Sequence, residues 1–345
     1  MRDFSALSTH RYRVRLPGSL SADRPREGFL LRVEWPGREA GLPTIRGYAD
    51  LMSWPELRDL PIEDELRAIL RGVPTTLGAR ALEMAALDAE ARATDRSLWK
   101  GVGEPPESHF LAGALHDLEL VDFGALAKRG FRSIKVKCSG GKSIDSGRSA
   151  LARATTKMQK HDLRLRIDFN GSADAVFLDS LLSGLSQEQL DRIEFLEDPL
   201  PSDQPRAWLD LRARFPQLAL FVDRAGEEDR ELLALADGWV LKPALQGEEW
   251  LKSARREGGT QPLAFSQYLG HALGAAWAAW HAASTGSLAR TSGLLFDSLI
   301  EGESAFFSEA VPAPGCRFET RFLRAGTGIG WTDEDFDSLT WSPWR

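Results

Sequence analysis

Three acidic residues and three lysines lie at the ends of short apolar segments, where their side chains could act on a common ligand. The segments are SIKVKC at 133–138, RLRIDFN at 164–170, IEFLEDP at 193–199, LALFVDR at 218–224 and GWVLKP at 238–243, and their reactive residues are Lys135, Lys137, Asp168, Glu197, Asp223 and Lys242. Carboxylate oxygens are the ligands that hard divalent cations prefer. If these segments are strands of one barrel, they predict a divalent-metal site and lysines that face a common pocket.

Alternation within the segments predicts strands with one charged face. Successive side chains of a strand point to opposite faces, so Lys135 and Lys137 share one face while Ile134 and Val136 share the other. A sheet that is covered by helices on its outer side and has a polar centre produces this division. The alternative is that each acid caps the helix that follows it, as Asp often does. Three acids together with the lysines favour the common site.

The first hundred residues have a different pattern. Alternating segments at 12–17, 28–35 and 45–51 predict antiparallel strands. Helices are predicted from Pro61 onward and over 76–93, where apolar residues recur at helical spacing. The N-terminal part is therefore predicted to be an α+β unit.

From about residue 109, strand-like segments alternate with helical ones, as in repeated βα units. Candidate strands begin with HFLAGAL at 109–115, continue through the segments above, and end with PLAFSQYL at 262–269 and TSGLLFD at 291–297. Units of this kind close into a barrel whose active site lies at the carboxyl ends of the strands.

The predicted fold class is therefore α/β, a (β/α) barrel with an N-terminal α+β capping domain completed by the C-terminal segment. The predicted bounds are 1–105 for the cap, 106–312 for the barrel and 313–345 for the C-terminal segment. Within that segment, FETRFLRAGTGIGW at 318–331 is predicted to be strand-like and to pack back on the cap.

Composition limits the class of protein. The chain has 345 residues, of which 43% are hydrophobic, and a net charge of -7, which argues against nucleic-acid binding. No apolar run reaches the length of a membrane span, and the first residues lack the apolar stretch of a signal peptide. Cys138 and Cys316 are too few for a disulfide framework. We expect a cytoplasmic enzyme without a membrane or nucleic-acid partner, and the residues indicate no oligomeric state.

The ordered set Lys135-Val-Lys137, Asp168-Phe-Asn170, Glu197-Asp-Pro199, Asp223 and Lys242-Pro243 resembles the enolase superfamily, in its muconate-cycloisomerase-like subgroup. Cap segments at 47–63 and 81–99 also resemble that pattern, and the likeness spans about residues 10–332. The resemblance implies that Asp168, Glu197 and Asp223 bind Mg²⁺, with Mn²⁺ as an alternative. The chain departs from the family at Arg224, where an acid is frequent; an arginine there could pair with Glu197 or Asp198, or it could weaken metal binding.

The resemblance also implies roles for the lysines. Removing a proton alpha to a carboxylate creates an enediolate, which a metal and a cation must stabilise. Lys137 would be the base, with its pKa lowered by Lys135, by the metal and by burial. Lys242 would be the other acid or base, or a fixed cation beside the intermediate.

Within the subgroup the chain resembles the o-succinylbenzoate synthases, which eliminate water from a hydroxycyclohexadiene carboxylate in menaquinone synthesis. The likeness includes the short chain, the sparse cap and Arg166, two residues before Asp168. A small-molecule carboxylate is therefore the expected partner, bound through Arg166, Asn170, Ser266 and Gly293. Ser266 and Gly293 would meet the succinyl tail, although both residues also suit turns.

Other activities stay open. N-acylamino-acid racemases and muconate-type cycloisomerases use the same lysine positions, whereas dipeptide epimerases have an Asp-x-Asp where this chain has only Asp297. The mandelate-racemase-like branch uses a histidine, but His271 suits the start of a helix. A barrel that binds a carboxylate without turnover is the alternative from another class. Residues 17–28 and Trp54 of the cap are expected near the pocket.

Overall fold

Antiparallel strands form the first layer of the molecule. The computed structural model describes residues 4–15, 25–37, 43–138, 144–223, 230–257, 261–286, 289–295, 299–309 and 315–344. The N-terminal strands are β1 (Ala6–Arg15), β2 (Arg26–Trp35) and β3 (Ile45–Met52), in the order β1-β2-β3. Two late strands, β11 (Leu299–Glu301) and β12 (Ser342–Pro343), pair with β1. The predicted N-terminal strands are confirmed, and β11 joins this sheet although the range predicted for the barrel included it.

Two helices complete the N-terminal unit, α1 (Ile62–Leu70) and α2 (Thr76–Arg92). The Thr75 side chain caps α2 by accepting a hydrogen bond from the Gly78 N–H at 3.2 Å. Small residues let α2 approach β3 closely, since a Cβ at Gly47 would lie 1.8 Å from the Ala85 carbonyl oxygen. Both helices agree with the sequence prediction.

The C-terminal segment packs back on the cap, as predicted, but its residues 318–331 do not form the predicted strand. It contains the helices α12 (Arg321–Ala325) and α13 (Asp333–Asp337), preceded by α11 (Ala305–Glu309). The Trp99 indole N–H donates to the Ile329 carbonyl at 2.7 Å. The strand prediction was wrong because so short an apolar and charged segment fits one helical turn as well as a strand. That turn buries Leu323.

Parallel strands in sequential order form the barrel wall. They are β4 (Phe110–Ala114), β5 (Ser133–Lys137), β6 (Arg164–Asp168), β7 (Ile193–Glu197), β8 (Leu220–Asp223), β9 (Gly238–Leu241) and β10 (Leu263–Phe265). The eighth position is filled by residues 289–293, which form isolated parallel bridges to β10 and its following residue, and to Ser108 before β4. The predicted barrel is confirmed, with bridges in place of a regular eighth strand.

Helices cover the outside of this wall. They are α3 (Phe123–Lys128), α4 (Ile144–Gln159), α5 (Ala175–Leu182), α6 (Gln187–Leu190), α7 (Pro205–Arg214), α8 (Arg230–Leu235), α9 (Glu248–Glu257) and α10 (Ala272–Thr285), with a 3₁₀ turn at Leu115–Leu120. A second 3₁₀ turn, Pro55–Leu57, belongs to the cap. In the part of the chain that the structure describes, no helix is long and apolar enough to cross a membrane.

The predicted division of each strand into two faces explains the packing. Ile134 and Val136 are fully buried, as are Leu165 and Ile167 on the next strand. Inside the barrel, a separate cluster contains Phe195, Phe221, Val240 and Ala264, and the rings of its two phenylalanines stack with centroids 3.9 Å apart. These phenylalanines lie two residues before Glu197 and Asp223, so an apolar layer supports the charged strand ends.

Candidate active site

A pocket with about 560 Å³ of empty volume opens where the barrel strands meet the cap. The predicted site residues on its wall are Lys135, Lys137, Asp168, Lys242, Ser266 and Gly293. Trp54 and Leu57 of the cap also line the pocket. The Trp54 indole N–H donates to the Tyr268 carbonyl at 2.8 Å, which fixes the cap segment over the barrel.

The acidic residues predicted to bind metal are all buried at this end of the barrel. The Lys135 ammonium lies 2.9 Å from Asp168 Oδ2 and 2.6 Å from Glu197 Oε1, and the Lys242 ammonium pairs with Asp223 Oδ2. Asp223 Oδ1 is buried and has no hydrogen-bond partner among the described residues. Buried charges must be neutralised, and here the lysines neutralise the carboxylates.

Whether these residues suit a divalent cation depends on donor chemistry and on spacing. Among the described residues, no three His, Cys, Asp or Glu side chains are gathered closely enough to hold a metal ion. The donor set does fit a hard cation, since it consists of buried carboxylate oxygens, and Asp223 Oδ1 lacks another partner. A cation at these acids therefore requires the lysine ammonium groups to give up some of their contacts. Arg224, expected either to pair with Glu197 or Asp198 or to weaken metal binding, lies outside the described residues.

The charges of the cluster shift its pKa values in opposite directions. Burial favours the neutral acid at Asp168, but Lys135, Lys137 and Lys242 outweigh it and hold the pKa of Asp168 at about 2. Burial alone would lower the pKa of Lys135, yet the neighbouring carboxylates raise it above its ordinary value. Lys135 therefore stays charged and acts as a fixed cation between two acids.

Lys137 has a different environment from Lys135. Its ammonium group has no hydrogen bond or ion pair with any described residue, although it lines the pocket. Burial is the largest cause that lowers the pKa of Lys137; Lys135 and Lys242 lower it further, while Asp168 opposes them. The predicted lowering is confirmed in direction. A buried amine with a lowered pKa at a pocket wall can accept a proton from a ligand.

Two residues predicted to contact substrate do not lie on the pocket wall. The Arg166 guanidinium donates to both Glu194 oxygens, at 2.7 and 2.9 Å, and is only 1% exposed. Asn170 is exposed, with a φ of 47°, and its backbone N–H donates to Asp168 Oδ1 at 2.9 Å. The structure therefore places Arg166 in an internal ion pair and Asn170 in a turn that orients an acid.

A local irregularity explains why Glu194 can reach Arg166. Leu165 is paired with Ile193 and Arg166 with Phe195, so the register shifts and Glu194 is an extra residue in its strand. Such a bulge redirects side chains next to functional sites. Sequence periodicity alone would assign Glu194 to the outer face.

Ser266 and Gly293 lie side by side, joined by a parallel bridge, on the wall where both were predicted. His109 lies against them and also lines the pocket. Sequence reasoning missed His109 because its segment was interpreted only as the start of the first barrel strand. A histidine next to a predicted inward-facing strand position was the available signal.

His271 is a structural residue, as predicted. Its ring Nδ1 accepts the Leu273 backbone N–H at 3.1 Å and caps α10, while the backbone N–H of His271 donates to Asp50 Oδ2 of the cap at 3.0 Å. Asp297 and residues 17–24 of the predicted cap loop lie outside the described residues.

Comparisons with known proteins agree with the fold and with the resemblance in the sequence. Residues 7–91 match the family model described as o-succinylbenzoate synthase, N-terminal domain. An o-succinylbenzoate synthase of Bdellovibrio bacteriovorus is 28% identical over 328 residues, covering 93% of this chain and 92% of that protein.

Two solved structures share the fold over the whole chain. A mandelate racemase/muconate lactonizing enzyme from Roseiflexus sp. has a TM-score of 0.72 and 18% identity, covering 99% of both chains. A muconate lactonizing enzyme from Mucobacterium Smegmatis, complexed with muconolactone, has a TM-score of 0.75 and 14% identity, covering 100% of both chains. These two structures confirm the predicted fold.

Proposed function

We propose that this chain is an enzyme of the enolase superfamily and that it catalyses the o-succinylbenzoate synthase reaction. That reaction is a carbon–oxygen lyase step, the syn-dehydration of a succinyl-hydroxycyclohexadiene carboxylate in menaquinone biosynthesis, and we assign it to the cytoplasm. The main support for this proposal is the position of Lys137, a buried amine with a lowered pKa on the pocket wall beside a cluster of carboxylates. The similarity to named o-succinylbenzoate synthases supports the choice of substrate.

Asp168, Glu197 and Asp223 are the residues that would hold Mg²⁺ or Mn²⁺. The unpartnered Oδ1 of Asp223 supports this assignment. When bound, the cation would neutralise the negative charge that develops on the substrate carboxylate. Lys135 contributes a second, permanent positive charge, since its ammonium lies against Asp168 and Glu197.

Lys137 then acts as the base. It removes the proton alpha to the substrate carboxylate and leaves the electron pair in an enediolate. Lys242, across the cluster, stabilises that negative charge as a fixed cation. The ring becomes aromatic when the C–O bond of the hydroxyl group breaks, and the protonated Lys137 returns its proton to the departing hydroxide, which leaves as water. One lysine can perform both transfers because the proton and the hydroxyl leave from the same face.

The side chain of the substrate extends away from this cluster. Ser266 and Gly293 are proposed to contact the succinyl group, since they line the same pocket as Lys137. Trp54 would cover the bound ring from the cap side.

The test is a spectrophotometric assay of aromatisation with the purified protein, the cyclohexadiene substrate, and either Mg²⁺ or EDTA. We expect turnover that requires the metal and falls at least about 10³-fold in Lys137→Ala, since the variant lacks both the general base and the acid that returns the proton to the departing hydroxide. Lys160→Ala is the matched control because Lys160 is exposed and distant from the pocket lining.

Turnover by Lys137→Ala at the wild-type rate would contradict the assignment of the base. Absence of wild-type turnover despite bound metal would reject the synthase reaction. N-acylamino acids and muconates would then be assayed with the same variants, because racemases and cycloisomerases also abstract a proton next to a carboxylate. Inactivity toward all three classes would favour a barrel that binds a carboxylate without turnover.

A further inference from the structure

The imidazole of His109 is held in one tautomer. Its Nδ1 lies 3.3 Å from Arg166 Nη1. A guanidinium can only donate, so Nδ1 must accept and carries no proton. In the neutral ring the proton is then on Nε2, which makes Nε2–H a donor. No described residue forms a hydrogen bond with that nitrogen, and His109 lines the pocket.

Surrounding groups keep this ring neutral. Burial, followed by the charges of Arg166 and Lys135, lowers the pKa of His109 well below its ordinary value. The charge of Arg166 is itself neutralised by Glu194, which accepts from two guanidinium nitrogens and from Ser133 at 2.6 Å. Arg166 also donates to the Thr291 carbonyl at 2.8 Å, which fixes the guanidinium in place. The guanidinium that contacts His109 is thus held in place by Glu194 and by the Thr291 carbonyl.

Two donors converge beside Gly293. A point where a Cβ of residue 293 would lie is 3.1 Å from His109 Nε2 and 3.0 Å from Ser266 Oγ. Both polar atoms therefore lie against Gly293, and all three residues line the pocket. The Ser266 hydroxyl has one long contact, 3.3 Å to the Gln267 carbonyl, which it can exchange for a better acceptor.

We infer that His109 is a further substrate-binding residue, whose Nε2–H donates a hydrogen bond to the ketone oxygen of the substrate's succinyl group, beside Ser266. This inference rests on the proposed function, since it assigns a part of that substrate to a part of the pocket. The role of Arg166 is then to position the imidazole, and it need not touch the substrate.

Charge balance favours the ketone over the terminal carboxylate as the acceptor. A buried carboxylate requires a cation, whereas an uncharged carbonyl is satisfied by neutral donors. Here both donors are neutral, and the guanidinium of Arg166, which contacts His109, is already paired with Glu194. The lysines of the pocket lie with the carboxylate cluster, where the ring carboxylate of the substrate is expected.

The test measures binding of three ligands to the full-length protein with Mg²⁺ by calorimetry. The first is o-succinylbenzoate, the proposed product. The second is 2-(3-carboxypropyl)benzoate, in which CH₂ replaces the ketone, and the third is 2-butanoylbenzoate, which keeps the ketone and lacks the terminal carboxylate. The readout is the ratio of affinities with and without the ketone oxygen.

Two substitutions separate donation from structural support. His109→Asn retains an amide oxygen that can accept from Arg166, but it has no donor at the position of Nε2. His109→Gln places an amide N–H near that position. We expect His109→Asn to reduce the preference for the ketone about three- to tenfold, the effect of one neutral hydrogen bond, and His109→Gln to restore part of it.

A loss of affinity in His109→Asn that is equal for the ligands with and without the ketone would overturn the inference and leave His109 a structural residue. A loss that depends on the terminal carboxylate would overturn it as well. If the wild-type protein binds none of the three ligands, the inference fails. The turnover assay tests the proposed function separately: a ketone preference that depends on His109 without turnover would retain the subsite and reject only the reaction.

Discussion

Replacing Arg166 with methionine tests whether the barrel interior depends on one buried ion pair. Methionine preserves much of the length of the side chain and its contact with Phe195, over whose ring the guanidinium now lies at 4.6 Å. It removes the donors to both oxygens of Glu194, to the Thr291 carbonyl and to His109. The principal consequence is a carboxylate without its cation.

The expected magnitude follows from the burial of the pair. The Arg166 side chain is 1% exposed and that of Glu194 is 24% exposed, so solvent screens the remaining charge only partly. Breaking a buried pair by removing one partner costs about 3–5 kcal/mol. The partial exposure of Glu194 places the expected loss near the lower end, about 3 kcal/mol in the free energy of unfolding at pH 7.

The loss should depend on pH with a definite sign. In the wild-type protein, burial would raise the pKa of Glu194, but Arg166 and Ser133 outweigh it and the net shift is downward. A lowered pKa stabilises the fold above the ordinary pKa of the acid, and this stability is lost as the pH falls through the folded value. Without Arg166, burial dominates and the pKa rises, so the variant folds with uptake of a proton. The difference in stability between variant and wild type is therefore larger at pH 8 than at pH 5.

Urea denaturation at pH 5 and pH 8 measures both quantities. Arg206→Met is the control, since the pair of Arg206 with Asp210 is exposed and should contribute little. The double variant Arg166→Met/Glu194→Gln should be more stable than Arg166→Met alone, because it removes the uncompensated charge. A loss below about 1 kcal/mol in Arg166→Met, or a loss equal at both pH values, would refute the reasoning.

Three other predictions concern the pocket. The kcat/KM should rise with pH and then level off, because Lys137 must be neutral to accept a proton. The midpoint of the rise should lie below pH 10.5, the ordinary pKa of lysine, because the pKa of Lys137 is lowered. A kcat/KM that falls as the pH rises over this range would exclude a lysine base. Asp223→Asn should weaken Mg²⁺ binding measured by calorimetry at least about tenfold, since a neutral amide replaces a carboxylate ligand; unchanged affinity would remove Asp223 from the site. Gly293→Ala should raise KM about tenfold, because the added Cβ would lie 2.8 Å from the His109 ring and 3.0 Å from Ser266 Oγ; an unchanged KM would place the substrate elsewhere.

The order and spacing of residues were enough to predict the architecture. The period of two in segments such as Ser133–Lys137 distinguishes an apolar outer face from a charged inner one, because side chains of a strand must alternate. Repetition of such segments between helices implies parallel strands, whose carboxyl ends meet at one edge. For that reason the sequence alone predicts that Lys135, Lys137 and Asp168 share one pocket. Their chemical roles, the domain bounds and the metal remain predictions.

Tertiary structure decided which polar residues reach the pocket. Arg166 shares a strand face with Asp168 and was expected to meet substrate, but the bulge at Glu194 supplies a partner that holds it inside the barrel. His109 lies far from Gly293 in sequence, and closure of the ring brings the two into contact. Periodicity fixes the direction of a side chain relative to its own strand. It contains no information about a one-residue register shift in a neighbouring strand, or about contacts made across the barrel, because those depend on how the whole ring closes.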